Sequence, residues 1–292
     1  MIPASFDYQR PASVDEALAL LSEHGYDAKV LAGGQSLIPA MRFRLAEPAT
    51  IIDVNGLSEL FRLEEDDGFL HIGAMVRHAA IEGSEMIREK YPLMADAVHV
   101  IADPIVRNRG TVGGSLVHAD PAGDWGAVML AYRAELILRK AGGERTLPID
   151  ELFLTTFMTA LEPEELLVEI RIPRGGDRKG GAYEKLERKV GDFATVGVAT
   201  QITLAEDGSV SSAGIGLTAV GATNLRAAMA EEALLGAEPG EETIAEAARK
   251  AAEESSPAAD NRGSEDYKRD MVRVLTARAL RRSVERAGGP RA

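Results

Sequence analysis

The chain has 292 residues, which is enough for two domains or for one large domain with an appendage. Hydrophobic residues make up 45% of it and charged residues 27%, proportions that are typical of a soluble globular protein. Its 46 acidic and 33 basic residues give a net charge of −13. This charge argues against nucleic acids and anionic membrane surfaces as partners, because both bind clustered lysine and arginine.

The sequence contains no cysteine. This excludes disulfides, thiolate zinc sites, catalytic thiols and cysteine-ligated clusters in this chain, so any iron–sulfur cluster must belong to a partner. No apolar run is long enough to span a bilayer, and the residues after Met1 do not have the pattern of a signal peptide. We therefore expect a cytoplasmic protein.

The first predicted elements form a small α/β unit. Residues 13–25 are predicted to be a helix, with Ser13 as its N-cap and Glu16 completing a capping box. The apolar face of this helix consists of Val14, Ala17, Leu18 and Leu21. Strands are predicted over 29–32 and 50–54, with a short helical stretch between them.

The middle of the chain mixes strands and helices. Two strands are predicted on either side of the turn at 66–68, and a helical stretch is predicted over 76–102, where Asp103 and Pro104 interrupt it. The remaining elements predicted in this part are a helix over 124–133 and strands over 136–138 and 166–172.

A glycine-rich segment at 175–181 is the best candidate for a linker between domains. After it, the sequence predicts three antiparallel strands over 182–188, 194–204 and 210–219, followed by helices over 224–235, 241–254 and 264–287. We therefore predict an N-terminal domain over 1–176, with subdomains of roughly 1–55 and 56–176, and a C-terminal domain over 177–292.

Two glycine pairs are the most informative motifs in the chain. Gly33-Gly34 and Gly113-Gly114 each follow a hydrophobic stretch and precede a hydroxyl or amide side chain. Because glycine has no Cβ, its backbone can be approached closely and its N–H groups can converge on an anion. Two such loops in one chain predict that a large phosphate-bearing ligand is held at two places.

Polar residues around the second pair allow more than one interpretation. Arg107 and Arg109 can neutralise a pyrophosphate, or they can be solvated surface residues. His118 and Asp120 are more typical of loop scaffolding than of a catalytic pair, because residues two apart do not face each other on a helix. Asp124 can cap a helix, accept hydrogen bonds from a ribityl or ribose hydroxyl, or do both.

Motifs of other enzyme classes are missing from the sequence. There is no G-x-G-x-x-G after a strand, no Walker A lysine motif and no G-x-S-x-G elbow. The five histidines also lack metal-binding spacing. A hydrolase or a metal enzyme is therefore poorly supported.

Taken together, the motifs resemble those of a known family, the FAD-binding medium subunits of molybdenum hydroxylases. This group includes the medium subunits of carbon monoxide dehydrogenase and xanthine dehydrogenase. The resemblance covers essentially the whole chain. It rests on A-G-G-Q-S-L-I-P at 32–39, T-V-G-G-S-L-V-H-A-D-P-A-G-D at 111–124, F-D-Y-x-R-P-x-S-V-D-E-A-L-x-L-L at 6–21, I-x-D at 51–53, I-G-A at 72–74, E-L-L-V-E-I-R-I-P at 165–173 and K-V-G-D-F-A-T-V at 189–196.

The resemblance implies an α+β fold. Its first part would be a PCMH-type FAD-binding domain of two subdomains, shared with vanillyl-alcohol oxidase and the peptidoglycan-precursor reductase. Its second part would be a C-terminal α+β domain of the carbon monoxide dehydrogenase flavoprotein type, with a three-stranded antiparallel sheet and helices.

The resemblance also implies which residues bind FAD. The first glycine segment would hold the pyrophosphate, the second would pack on the pyrophosphate and ribityl region, and Phe193 would lie beside the isoalloxazine ring. Many relatives have histidine, asparagine and tyrosine where this chain has Gln35, Ser115 and Phe193. The implied cofactor-binding residues are Ala32, Gly33, Gly34, Gln35, Ser36, Leu37, Ile101, Thr111, Gly113, Gly114, Ser115, Asp124, Leu167, Lys185 and Phe193.

The function that the resemblance implies is electron transfer within a complex. A large subunit would hold the molybdenum cofactor, a small subunit would hold [2Fe–2S] clusters, and two such heterotrimers would associate. Non-covalent FAD in this chain would collect the electrons and pass them to an external acceptor, without a catalytic acid or base of its own. The alternatives are a stand-alone FAD-dependent oxidoreductase and an assembly module that carries no flavin.

Overall fold

The computed structural model describes residues 2–288, and its first elements form a small parallel sheet. The strands are β1 (Asp7–Gln9), β2 (Ala28–Leu31) and β3 (Thr50–Asp53), and the helices between them are α1 (Val14–His24) and α2 (Leu37–Arg42). β3 lies between β1 and β2 and is parallel to both. The predicted helix is confirmed: Ser13 accepts a hydrogen bond from the N–H of Glu16 at 3.1 Å, and all four predicted apolar residues are buried.

A larger antiparallel sheet follows. The next strands are β4 (Leu63–Asp66), β5 (Phe69–Gly73), β6 (Glu135–Lys140), β7 (Gly143–Pro148), the hairpin of β8 (Phe153–Thr155) and β9 (Met158–Thr159), and β10 (Leu166–Pro173). Five of them pair in the order β4–β5–β10–β6–β7. The hydrophobic cluster beneath this sheet includes the buried Trp125 and Tyr91.

Six helices lie between β5 and β6. They are α3 (His78–Gly83), α4 (Glu85–Lys90), α5 (Pro92–His99), α6 (Pro104–Arg107), α7 (Val112–His118) and α8 (Asp124–Tyr132). The stretch over 76–102 that was predicted to be helical is divided into three short helices, α3 to α5. Ser84 ends one helix and caps the next by accepting a hydrogen bond from the N–H of Ile87, and Pro92 starts a third because it has no N–H to donate.

The C-terminal part is a four-stranded antiparallel sheet with three helices. Its elements are β11 (Lys179–Leu186), β12 (Val196–Leu204), β13 (Val210–Thr218), β14 (Leu225–Arg226), α9 (Ala228–Leu234), α10 (Glu241–Glu254) and α11 (Glu265–Arg286). The α+β class is confirmed, and the sheet has one short strand, β14, more than the three that were predicted. β11 starts inside the predicted linker at 175–181. Within residues 2–288, no helix is both long enough and apolar enough to cross a membrane.

The C-terminal sheet lies between helices from both parts of the chain, and glycines allow the close contact. A Cβ on Gly216 would lie 2.0 Å from the carbonyl oxygen of Ala127 in α8, and one on Gly214 would lie 1.9 Å from that of Ala131. On the other side, a Cβ on Gly180 would lie 2.1 Å from the carbonyl oxygen of Ser283 in α11. Both faces of the sheet are therefore packed against backbone, which fixes its position relative to α8.

A buried histidine supports the region of the second glycine pair. The Nε1–H of Trp125 donates to Nδ1 of His78 at 3.1 Å, so this ring nitrogen must be unprotonated. The ring also packs behind Gly110, where a Cβ would lie 2.7 Å from Nε2. Burial, together with the charges of Arg77 and Arg107, lowers the pKa of His78 to about 4.

This histidine predicts a pH dependence of stability. Because the folded state holds His78 neutral, its contribution is complete above the ordinary histidine pKa of about 6.5 and is lost as the pH falls toward 4. We expect the free energy of unfolding to fall by about 2 kcal/mol from this group between about pH 7.5 and pH 5. Urea unfolding of the wild type and of His78→Gln at the two pH values measures the difference. Parallel pH profiles for the two proteins would contradict the assignment.

Candidate functional site

The first glycine segment, residues 32–37, connects the end of β2 to the start of α2. The backbone N–H groups of Gly33, Gly34, Gln35 and Ser36 have no hydrogen-bond acceptor among residues 2–288. Gly34 has a φ of +75°, a conformation that glycine adopts without strain. Consecutive N–H groups in such a turn can form an anion-binding concavity, so this segment offers four donors to a phosphate group.

The second glycine pair differs from the sequence prediction, because it lies in the first turn of α7 and not in a loop. Thr111 is the N-cap, and its Oγ1 accepts a hydrogen bond from the N–H of Gly114 at 3.1 Å. The N–H groups of Val112 and Gly113 donate to carbonyl oxygens within residues 74–76 at 3.0 and 3.1 Å. The donors of this turn are already used, so the segment contributes its shape and not free N–H groups.

The two segments touch each other through their backbones. A Cβ on Gly33 would lie 2.4 Å from the carbonyl oxygen of Arg109 and 2.8 Å from Cα of Gly110. A Cβ on Gly114 would lie 3.5 Å from Cβ of Ala32. The contact at Gly33 leaves no room for a larger side chain, whereas the one between Gly114 and Ala32 is an ordinary van der Waals contact. Residues 32–37 and residues 109–115 therefore form one continuous surface, which we call the glycine junction.

The two arginines before α7 have different roles. Arg107 is buried: its Nε donates to Glu82 at 2.9 Å, and its Nη1 donates to the carbonyl oxygen of Ile101 at the same distance. It is therefore structural, and neither of the two roles considered from the sequence applies to it. Arg109 is exposed, and its side chain has no ion pair among the described residues. Its positive charge at the junction is available to a ligand.

Several polar side chains lie at the edge of the junction. Gln35 and Ser36 are exposed, and Nε2 of Gln35 donates to the carbonyl oxygen of Gly33 at 3.4 Å. Ser36 stands at the N-cap of α2, where its side chain makes no capping hydrogen bond, and Leu37 is the first residue of that helix. Oγ of Ser115 lies 3.9 Å from the position that a Cβ on Gly123 would take.

Asp124 is the first residue of α8 and joins the two parts of the chain. Its Oδ1 accepts a hydrogen bond from the Tyr183 hydroxyl at 2.6 Å, and its Oδ2 accepts one from Nζ of Lys185 at 3.1 Å. Nζ of Lys185 also donates to the carbonyl oxygen of Val100 at 2.9 Å. Burial raises the pKa of Asp124, an effect that the Lys185 charge opposes, and burial beside this carboxylate raises the pKa of Tyr183.

Tyr183 is not among the residues predicted from the sequence, although a signal for it exists. Tyr183, Lys185 and Glu187 alternate along the strand segment, which places their side chains on the same side of the chain. Oε2 of Glu187 lies 3.5 Å from Nζ of Lys185. It is also a buried oxygen that lacks a hydrogen-bond donor among the described residues.

The other predicted contacts fall into a buried group and an exposed one. Ile101 and Leu167 belong to the same hydrophobic cluster and are 8% and 3% exposed. Phe193 is 54% exposed and lies in the segment between β11 and β12. This segment rests on the residue after Ile101, because a Cβ on Gly191 would lie 2.5 Å from the carbonyl oxygen of Ala102. The structure thus places Gly191, two residues before Phe193, against the residue after Ile101, while Leu167 lies in β10.

His118 and Asp120 do not form a pair. Oδ1 of Asp120 accepts a hydrogen bond from the N–H of Ala122 at 2.9 Å, which stabilises the turn before α8. The His118 ring packs against Phe157, with 5.1 Å between ring centroids. This geometry agrees with the scaffolding interpretation.

The residues present fit a dinucleotide cofactor with a pyrophosphate. The glycine junction combines four unused N–H donors, an exposed arginine and a backbone contact that a Cβ would block. Within residues 2–288, no three histidine, aspartate or glutamate side chains are grouped so that they could hold a metal ion.

Comparison with known families places this geometry in context. Residues 4–175 match the model described as "FAD binding domain in molybdopterin dehydrogenase". Residues 181–283 match "CO dehydrogenase flavoprotein C-terminal domain". The two matches together span most of the chain.

Individual relatives agree with these matches over nearly their whole length. The carbon monoxide dehydrogenase medium chain of Hydrogenophaga pseudoflava is 44% identical over 96% of this chain and 97% of that protein. The 6-hydroxypseudooxynicotine dehydrogenase complex subunit alpha of Paenarthrobacter nicotinovorans is 38% identical over 98% and 97%.

A solved structure gives the same result. A chain in the structure of carbon monoxide dehydrogenase from Hydrogenophaga pseudoflava superimposes with a TM-score of 0.94 and 45% identity, covering 98% of this chain and 99% of that one. The fold, the two family matches and these relatives agree. This chain belongs to the family of FAD-binding medium subunits of molybdenum hydroxylases.

Proposed function

We propose that this chain is the electron-transferring FAD subunit of a heterotrimeric molybdenum hydroxylase. It takes electrons from [2Fe–2S] clusters in a small partner subunit, and these electrons come from a large partner subunit that holds the molybdenum cofactor. It passes them to an external acceptor. The observation that carries the proposal is the glycine junction, with its four unused N–H donors, in a chain whose family binds FAD.

The proposed roles of the residues follow from their positions. Gly33, Gly34, Gln35 and Ser36 would donate their N–H groups to the pyrophosphate, and the Arg109 guanidinium would offset part of its charge. Ala32, Leu37, Thr111, Gly113, Gly114 and Ser115 would shape the surface against which the pyrophosphate and ribityl chain lie.

The remaining sequence-predicted contacts are proposed for the rest of the cofactor. Ile101 and Leu167 would give it apolar contacts, and the exposed ring of Phe193 would cover its flavin end. Asp124 and Lys185 would support the wall between the two parts of the chain through their mutual hydrogen bond. When bound, FAD supplies the reversible uptake of electrons, and the protein positions it and excludes water. Because the chain has no cysteine and no histidine at a position suited to flavin attachment, we expect the cofactor to be non-covalent.

The substrate of the complex is proposed to be recognised by the large subunit. Relatives at 44% and 38% identity carry names that refer to carbon monoxide and to 6-hydroxypseudooxynicotine. The two relatives are similar to this chain to about the same degree, although the compounds in their names differ in size and polarity. The association of two heterotrimers and a cytoplasmic location remain predictions from the sequence.

Replacing Gly114 by valine tests the cofactor site. A Cβ there would lie 2.6 Å from Oγ1 of Thr111, so the larger side chain must disrupt the cap and enter the junction. We expect Gly114→Val to be isolated without flavin. The control is Gly143→Val, the same substitution in β7 where a Cβ meets nothing within 4 Å. Flavin content is measured after denaturation of each purified protein. Stoichiometric FAD in Gly114→Val would contradict the assignment.

Mixing the chain with its iron–sulfur partner tests the electron transfer. The partner is reduced with dithionite, freed of excess reductant, and mixed anaerobically with the FAD-loaded chain. We expect the visible flavin absorbance to bleach, because the partner clusters are the proposed electron donor.

Other results of this mixing experiment would favour the alternatives. A flavin that stays oxidised beside the reduced partner would contradict the electron-transfer proposal. Turnover of an organic substrate by the isolated chain would indicate a stand-alone oxidoreductase. A chain that does not bind flavin even with its partners would indicate an assembly module.

A further inference from the structure

The I-x-D motif at 51–53 ends in a carboxylate that starts a chain of hydrogen bonds. Oδ2 of Asp53 accepts from the Tyr8 hydroxyl at 2.5 Å. Its Oδ1 accepts from the backbone N–H of Asn55 at 2.9 Å and from the Nδ2 of the same residue at 2.6 Å. Asp53 therefore fixes the orientation of the Asn55 side chain at the end of β3.

Asn55 in turn holds the start of the first glycine segment. Its Nδ2 donates to the carbonyl oxygen of Ala32 at 2.9 Å and to that of Leu31 at 3.2 Å. These carbonyl groups immediately precede Gly33, whose backbone touches Arg109. The position of Asn55 thus determines where the chain enters the glycine junction.

Arg77 connects this asparagine to the other side of the junction. Its Nη2 donates to Oδ1 of Asn55, and its Nη1 donates to the carbonyl oxygen of Arg109. The guanidinium also lies over the ring of Phe61, 5.6 Å from the centroid, and the backbone of Arg77 forms an antiparallel bridge with Thr111. One side chain therefore links Arg109 in one half of the junction to Asn55, which in turn donates to Ala32 in the other half.

Arg77 is partly buried and lies near one like charge and one opposite charge. Burial, and then the neighbouring Arg109 guanidinium, lower its pKa. Asp53 opposes this shift, so the network contains one carboxylate near two arginines. Both Nη atoms of Arg77 donate to protein groups, one to Asn55 and one to Arg109.

We propose that Arg77 is a positioning residue for the cofactor, which acts by fixing the separation of the two glycine segments through Asn55 and Arg109. The inference rests on the proposed FAD function and adds residues that neither the motifs nor the family matches assign. The role needs the guanidinium shape and not only its charge, because the ammonium of lysine cannot reproduce a rigid pair of divergent donors.

A double-mutant cycle tests this role. Arg77→Lys keeps the charge and the aliphatic stem but loses the paired hydrogen bonds, and Asn55→Ala removes the other end of the link. We expect each single variant to bind FAD about tenfold or more weakly than the wild type, because hydrogen bonds to a charged group are lost from the link. The double variant should weaken binding by clearly less than the product of the two effects, since both substitutions break the same connection. Titration of the FAD-free proteins, followed by quenching of flavin fluorescence, measures the affinities.

Two further measurements separate positioning from general stability. Arg139→Lys is the control, because Arg139 forms a surface ion pair with Asp15 at 3.0 Å, and it should bind FAD like the wild type. The ³¹P resonances of bound FAD should shift in Arg77→Lys and not in the control, because the pyrophosphate lies against the junction. The melting temperature of each FAD-free protein shows whether it is folded.

The outcomes distinguish this inference from the proposed function. A wild-type chain that takes up no FAD, alone or with its partners, would contradict the proposed function. If the wild type binds FAD and Arg77→Lys binds it equally well with unchanged ³¹P shifts, the positioning role is wrong and the function stands. Fully multiplicative effects of the two substitutions would also overturn it, because they would show that Arg77 and Asn55 act independently.

Discussion

The site depends on one contact between two backbones. Gly33, at the end of a strand in the small parallel sheet, lies against Arg109 and Gly110 so closely that a Cβ would be 2.4 Å from a carbonyl oxygen. Bringing two chain segments this close buries polar backbone, so their donors and acceptors must be accounted for. On the α7 side they are satisfied by the Thr111 cap and by residues 74–76, whereas on the α2 side four N–H groups have no acceptor within residues 2–288. This asymmetry leaves one half of the junction as scaffold and the other half available to a phosphate.

A second constraint holds the C-terminal sheet against this scaffold. The glycines of β13 let the sheet reach the backbone of α8, and the carboxylate at the start of that helix bonds to Tyr183 and Lys185 of β11. A buried carboxylate is costly unless charge and hydrogen bonds compensate it, and here both come from the C-terminal part. Removing Tyr183 or Lys185 would leave the buried charge of Asp124 without one of the groups that compensate it. The two parts of the chain are therefore coupled at the wall of the proposed cofactor site.

Much of the fold was predictable from the sequence because local signals were strong. The N-cap at Ser13 and the turn at 66–68 each specify their structure within a few residues, and both are confirmed, although Glu16 accepts from the N–H of Ala12 and not from that of Ser13. The stretch 76–102 divides into three helices because of Ser84 and Pro92. A helical periodicity that continues over the whole stretch hides the effect of these two residues. The glycine pairs indicated a phosphate ligand, but not that one pair lies inside a helix. Asn55 and Arg77 could not be found from spacing, since their partners Ala32 and Arg109 are 23 and 32 residues away in sequence.

The most direct test of this account is hydrogen exchange at single backbone amides of the chain with and without FAD, followed by NMR. Because the amides of Gly33 to Ser36 have no acceptor in the described part of the chain, they should exchange rapidly in the FAD-free protein and become protected when FAD binds. The amides of Val112, Gly113 and Gly114 already have acceptors and should be protected in both states. Amides at 33–36 that stay unprotected with saturating FAD would contradict the claim that this segment holds the pyrophosphate.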